Sequence, residues 1–254
     1  MKKTLLAAAA CSLAIPTTAS ADFLGFFIGG GTYNAEFSGT FNSADTRREI
    51  DLEDDLGLDD DTATFFYVAF EHPVPVLPNI KLVRTEMDQE STSTLTEEIE
   101  FNNKTYSADA EVESKIDLSH TDVTLYYELL DNWVNFDLGL TVRQFDGELA
   151  ITGTEATSGI TETAQEDVDF PVPLLYGKAQ FDLPLTGLYA AVEGNWIGFG
   201  GNVFFDATGK VGYETSIGFG VEGGMRSITL EIDEDDLEAD MDFTGLYLAA
   251  HYHF

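Results

Sequence analysis

The chain has 254 residues and sets 46 Asp and Glu against 12 Lys and Arg, a formal net charge of -34. So negative a chain excludes nucleic acid as a partner, because a polyanion is repelled and no basic patch stands ready to release its counterions. An apolar content of 44% exceeds that of an acidic disordered tail, and 23 Gly with 12% aromatics and 7 Pro lean toward β-structure.

In chain order, Met1-Lys2-Lys3 is a basic n-region and Leu5 to Ile15 an alanine-rich apolar run. Ala19-Ser20-Ala21 then offers small residues at the positions a signal peptidase reads. Residues 1–21 therefore read as a cleaved signal peptide and 22–254 as one mature domain. Cys11, the sole cysteine, falls inside the leader, so the exported chain has no disulfide and must draw stability from a core, a metal or a membrane. No later stretch approaches the ~18–20 apolar residues of a membrane helix.

Beyond the leader the hydropathy period is two. Tyr33, Ala35, Phe37 and Phe41 alternate with Thr32, Asn34, Glu36, Ser38, Thr40 and Asn42. Val134, Phe136, Leu138, Leu140 and Val142 alternate with Asn135, Asp137, Gly139, Thr141 and Arg143. The same pattern runs from Leu175 to Leu183 and from Leu188 to Trp196. Such segments suit half-buried strands, whether of a soluble sandwich or of a transmembrane barrel with apolar residues toward lipid. Short connections at His72–Asn79, Asp131–Trp133, Pro184–Gly187 and Gly223–Gly224, separated by long polar loops, favour the barrel. The expected fold is an all-β, transmembrane, antiparallel up-and-down barrel. Its ten strands lie near 23–41, 63–72, 79–90, 115–130, 133–150, 168–183, 187–198, 210–222, 225–232 and 241–254. Blurred alternation in the second, third and eighth leaves eight or twelve open.

The last strand places Leu246, Leu248, Ala250, Tyr252 and Phe254 on one face and ends on an aromatic. This resembles the C-terminal signal, carried here by Tyr252 and Phe254, that the outer-membrane assembly machinery reads. Further residues carry a wider resemblance: Phe23-Leu24-Gly25, Asp54-Asp55-Leu56-Gly57-Leu58, the turn Glu71-His72-Pro73-Val74-Pro75-Val76-Leu77-Pro78-Asn79, and Gly224-Met225-Arg226-Ser227 ahead of an acidic run. On these the mature chain resembles a family of proteobacterial outer-membrane barrels associated with GlyGly-type C-terminal sorting. The resemblance implies a barrel in the Gram-negative outer membrane and no particular chemistry. Its partners would be outer-membrane lipids and lipopolysaccharide, with periplasmic chaperones and the assembly machinery during biogenesis.

The acidic runs offer candidate metal ligands. Asp51, Glu53, Asp55, Asp59 and Asp61 follow the first strand; Asp233, Asp235 and Asp236 precede the last, so closure would bring both runs to one sector of the rim. Oxygen ligands in such density suit Ca²⁺. Asp51-x-Glu53-x-Asp55 nevertheless departs from an EF-hand loop, because Gly57 falls one place late and Thr62 stands where a Glu belongs. A solvated acidic surface is the alternative.

Charges at inward positions, Glu128, Asp137, Arg143, Lys178, Asp182, Glu193 and Glu222, suggest a lumen network, with Lys178 opposite Glu193 across an even hairpin at Leu185-Thr186. A ten-stranded interior is little wider than its side chains, so a filled lumen is expected over a conducting one. His120 and Asp122 share an inward face and resemble the His–Asp dyad of outer-membrane proteases; His251 and His253 alternate inward near the end. His72 is expected to cap its turn, and Trp133 and Trp196 to sit at membrane interfaces. The expected function is an integral outer-membrane protein with a structural or surface-interaction role and no catalytic residues. A narrow channel for small solutes or cations is the second reading and a surface hydrolase the third.

Overall fold

A computed structural model describes residues 24–43, 48–74, 76–234 and 237–254, so the signal-peptide expectation lies outside the described residues. Among them the strands run, in chain order, β1 (Gly25–Ser43), β2 (Ile50–Asp51), β3 (Asp60–Glu71), β4 (Asn79–Glu86), β5 (Asp88–Thr94), β6 (Ile99–Phe101), β7 (Lys104–Tyr106), β8 (Glu111–Asp117), β9 (His120–Leu130), β10 (Val134–Phe145), β11 (Gly147–Thr154), β12 (Thr161–Val168), β13 (Pro171–Leu183), β14 (Leu188–Phe199), β15 (Asn202–Glu214), β16 (Phe219–Glu234) and β17 (Leu237–His253). Ten of them (β1, β3, β4, β9, β10 and β13 to β17) pair antiparallel with their neighbours. β17 returns to β1 through a ladder from Phe27–His253 to Ser43–Leu237. The barrel is closed and leaves no open edge among these strands.

The remaining strands all rise from one rim. β5, β8, β11 and β12 form a four-stranded sheet, β6 and β7 a hairpin, and β2 joins β1. This sheet, the platform, continues the wall: β4, β9 and β10 pair side by side, and their extensions β5, β8 and β11 pair in the same order. The break comes at Met87, Leu118–Ser119 and Asp146, where Leu118 N donates to Met87 O at 2.8 Å and Asp146 N to Ser119 O at 3.0 Å. The sequence shows no turn there, so 79–90, 115–130 and 133–150 read as single strands.

The last third of the chain differs more from expectation. Gly223-Gly224 is not a turn; it lies mid-strand in β16, paired with Tyr247 and Leu248 on one side and Lys210 and Val211 on the other. A Cβ at Gly224 would stand 1.9 Å from Gly209 O, so glycine serves close strand approach here. The turn is at 215–218, and the strands are 202–214 and 219–234 in place of 210–222 and 225–232. Asp233 thus belongs to a strand, and β16 and β17 stay paired up to Glu234–Leu237.

The exterior carries an apolar belt. Leu125, Leu140, Leu175, Val192, Val211, Leu246 and Leu248 are all exposed, far more contiguous apolar surface than a soluble monomer shows. Leu246 to Phe254 advance ~26 Å along β17, which at a tilt of ~40° is about 20 Å of height, near the apolar band of outer-membrane barrels. Aromatics ring the turn rim, where Phe26 packs on Phe254 at 5.5 Å and Trp133 on Phe181 at 5.3 Å. His72 Nδ1 accepts the N–H of Val74 at 3.3 Å, capping its turn.

At the loop rim the polarity inverts. Tyr33, Ala35, Phe37 and Phe41 point inward and are buried, while Asn34, Glu36 and Ser38 face out. The expectation that β1 turns its apolar face to lipid therefore fails along this stretch. These residues stand above the belt, where the outside is wet and the inside is filled. They form one core with Leu52, Leu56 and Leu58 of the acidic loop and with Leu95, Phe101, Tyr106, Val112 and Ile116 of the platform.

Tyr106, fully buried, ties the platform together: its hydroxyl donates to Ile151 O at 2.8 Å and accepts from Ala164 N at 3.0 Å. Burial raises its pKa. Tyr106→Phe leaves that amide without its acceptor and should cost about 1–3 kcal/mol. Loop proteolysis should accelerate while the heat-modifiable gel mobility of the closed barrel stays unchanged.

Candidate functional site

The lower lumen is a water-accessible cavity of about 710 Å³, lined from His72, Asp131 and Leu185 at the turn rim up to Arg143, Asp206 and Arg226. Each residue expected in a lumen network, Glu128, Asp137, Arg143, Lys178, Asp182, Glu193 and Glu222, lines it. Lys178 does stand opposite Glu193 in the β13–β14 register. Its ammonium, however, lies 3.5 Å from Asp137 on the other neighbouring strand, while Glu193 is bound by Lys81 and, at 3.4 Å, by Lys210.

Two charged layers cross the interior. In the layer nearer the turn rim, Lys210 reaches Glu222 at 3.0 Å, and Tyr189 and Tyr247 each donate a hydroxyl to Glu222 at 2.6 Å. The Tyr189 ring fits because the wall carries glycine beneath it: a Cβ at Gly212 would stand 2.3 Å from that ring. In the layer nearer the loop rim, Arg143 grips both oxygens of Asp122 at 2.7 Å and also reaches Asp206 at 2.7 Å. Arg226 holds the two oxygens of Asp206 at 2.9 and 2.8 Å. The guanidiniums lie over the apolar core, Arg143 5.1 Å from the Phe204 ring and Arg226 5.3 Å from that of Tyr33. Two cations and two anions leave this layer formally neutral.

Sequence reasoning missed Lys81, Asp206, Lys210 and Arg226. Asp206 fell in a segment taken for a loop, Lys210 opened the strand read as 210–222, and Arg226 lay beside the displaced turn. The available signal was the alternation Asp206, Thr208, Lys210 against Phe205, Ala207, Gly209 and Val211.

Above the arginine layer, on the side of β13 to β16, lies a second cavity of about 340 Å³ with almost wholly apolar walls, among them Phe145, Val172, Ile197, Phe204, Ile228 and Leu230. His120 and Arg143 line it as well. His120 and Asp122 are both inward and buried, as expected, but form no dyad. His120 Nδ1 donates to Leu118 O at 2.8 Å, and Asp122 is taken up by Arg143. His251 and His253 turn to Glu214, at 3.1 and 3.8 Å.

The acidic runs are occupied differently from a metal loop. Asp51 Oδ1 accepts the N–H groups of Glu53 and Asp54 at 2.9 and 2.8 Å. Asp55 is buried, with Arg48 at 2.7 Å and the N–H of Asp51 at 3.0 Å. Asp61 accepts the N–H of Thr62 at 2.6 Å, while Glu53, Asp59 and Asp233 are exposed. Asp235 and Asp236 lie outside the described residues. Among the described residues no three His, Cys, Asp or Glu converge as a metal would need. In the platform, the hydrogen bond to Glu148 raises the pKa of Lys115, and the N–H groups of Thr157 and Ser158 hold Glu155 down at about 2.

No family model matches the chain, and no curated protein matches it. Among solved structures it is similar to the outer membrane protease OmpT of Escherichia coli, at 10% identity and a TM-score of 0.47, over 92% of this chain and 98% of that one. It is also similar to Ail, the attachment invasion locus protein of Yersinia pestis, at 10% identity and 0.33, over 91% and 99% of the two chains. A third is a major outer membrane protein of Thermus thermophilus, at 12% identity and 0.36, over 91% and 99%. The fold itself rests on the strand pairings that close the barrel.

Asp206 is the shared anion of the loop-side layer. Asp206→Asn strands a buried guanidinium and should lower stability by about 3–5 kcal/mol, measured as the urea midpoint of the refolded protein. Asp206→Leu combined with Arg226→Met, which removes one charge of each sign, should recover most of that loss.

Proposed function

We propose that the chain is an integral barrel of the Gram-negative outer membrane, exported by the signal peptide 1–21, which holds a surface platform over a closed lumen and acts by surface interaction. The observation that carries this reading is the apolar core shared by the inward faces of β1, β15, β16 and β17, the acidic-loop leucines and the platform. An apolar plug of that extent disfavours the hydrated path that ions need. The exterior belt and the turn-rim aromatics support the membrane setting, with Tyr252 and Phe254 at the end the assembly machinery would read. Membership of the GlyGly-associated barrel family belongs to the same reading.

The second reading, a narrow cation-favouring channel, draws on the wet lower cavity with its abundance of carboxylates. Reconstitution in planar bilayers separates the two. The closed reading expects a flat current trace at either polarity, and discrete reproducible steps would overturn it.

The outward carboxylates of the loop rim, Glu36, Glu238, Asp240 and Asp242, stand beside one another on β1 and β17. In this reading they attract divalent cations, Ca²⁺ above all, that bridge to lipopolysaccharide phosphates. Such bridging raises the melting temperature in millimolar CaCl₂ above its value in NaCl of equal ionic strength when lipopolysaccharide is present. Equal melting temperatures in the two salts refute it.

A further inference from the structure

The three long loops and the platform fill the outer lumen on the side of β1, β3, β4 and β9. On the opposite side β14 and β15 are joined by Gly200-Gly201 alone, too short to fold over the mouth. The apolar cavity of about 340 Å³ occupies that uncovered sector, bounded by Val172, Ile197, Phe204, Ile228 and Leu230, with Phe199 at its rim 84% exposed. A cavity this size is within the range of small-ligand sites, which pair apolar walls with a few placed polar groups.

Besides Asn202 and Glu231, which are not buried, its polar groups are those of His120 and Arg143. His120 is buried, and its Nδ1 carries a proton because it bonds a carbonyl, Leu118 O. In the neutral ring Nε2 is then an acceptor, and Nε2 has no partner. Arg143 is buried too; its Nε and Nη2 are spent on Asp122 and Asp206, but Nη1 has no partner. A buried donor and a buried acceptor left unmade are costly. One acceptor and one donor, both on residues lining the same apolar cavity, are met by a single group that donates one hydrogen bond and accepts another.

We infer that this cavity is a binding site for a free amphiphile with an apolar tail and one hydroxyl-bearing head, an alcohol or an undissociated carboxylic acid. The head's O–H donates to His120 Nε2 and its oxygen accepts from Arg143 Nη1, while the tail lies among Val172, Ile197 and Phe204. The neutrality of the arginine layer selects a head that brings no net charge, since an added unpaired ion would be desolvated without compensation. A phospholipid acyl tail ends in a methyl group and satisfies neither atom. The site lies on the loop side of the arginine layer, so it stands whether or not the lumen conducts.

The test uses the refolded full-length barrel in non-ionic detergent. 1-Decanol and decanoic acid serve as probes, and decyltrimethylammonium controls for micelle partitioning. Native mass spectrometry at a pH below the acid's own pKa should find one decanol or decanoic acid per chain and no retained ammonium amphiphile. Val172→Trp, which fills the cavity, should abolish that binding. His120→Leu should weaken it about tenfold, the effect of losing one hydrogen bond. Retention of the ammonium amphiphile to the same extent, or unchanged binding in the folded Val172→Trp protein, overturns the site. If His120→Leu does not fold, the Val172→Trp result decides. Conductance recorded on the same preparations reports separately on the closed lumen.

Discussion

Closure is the constraint from which the rest follows. Ten strands joined edge to edge, with β17 returned to β1, give every residue of the wall one of two fates, outside or inside. In the lower part apolar side chains go outward and hydrophilic ones inward. Sequestered charges then have to find each other: Lys81 of β4 crosses the bore to Glu193 of β14, and Lys210 of β15 links Glu193 to Glu222 on its two neighbouring strands. The Lys81–Glu193 contact spans several strands, so the network braces the cross-section.

The arginine layer divides two solvents within one tube. Toward the turn rim the interior is wet and titratable. Toward the loop rim it resembles the core of a soluble domain, with Phe37 and Phe243 in edge contact at 5.0 Å. Arg143 and Arg226 suit the boundary because a guanidinium offers an apolar face for ring contact and an edge for carboxylates. The platform extends the same logic, since its strands prolong the wall and its buried side chains complete the filling below.

Much of the fold was legible in the sequence. The period-two segments at 134–143, 175–183 and 188–196 gave the barrel and the outward direction of their apolar faces, and the Pro184–Gly187 turn fixed the Lys178–Glu193 register. Two kinds of information were not legible. Glycine reads as a turn, yet at Gly223 and Gly224 it answers a demand for space between strands that only the third dimension imposes. Alternation also gives two faces without saying which is wet. Tyr33 to Phe41 alternates as cleanly as the belt but faces the other way, because the plug decides its orientation. The interleaved Leu52, Leu56 and Leu58 were the available hint that the acidic loop folds inward. The pairing of Arg143 with both Asp122 and Asp206 joins β9, β10 and β15, a convergence no local pattern encodes.

The plug takes residues from both ends of the chain, Tyr33 and Phe37 from the first strand and Met241 and Phe243 from the last. Its central segments, 87–119 and 146–170, lie between them in sequence. Core completion and seam formation are therefore coupled: until the terminal strands pair, the filling lacks two of its sides. The two ends of the chain, farthest apart in sequence, thus complete wall and filling in a single pairing.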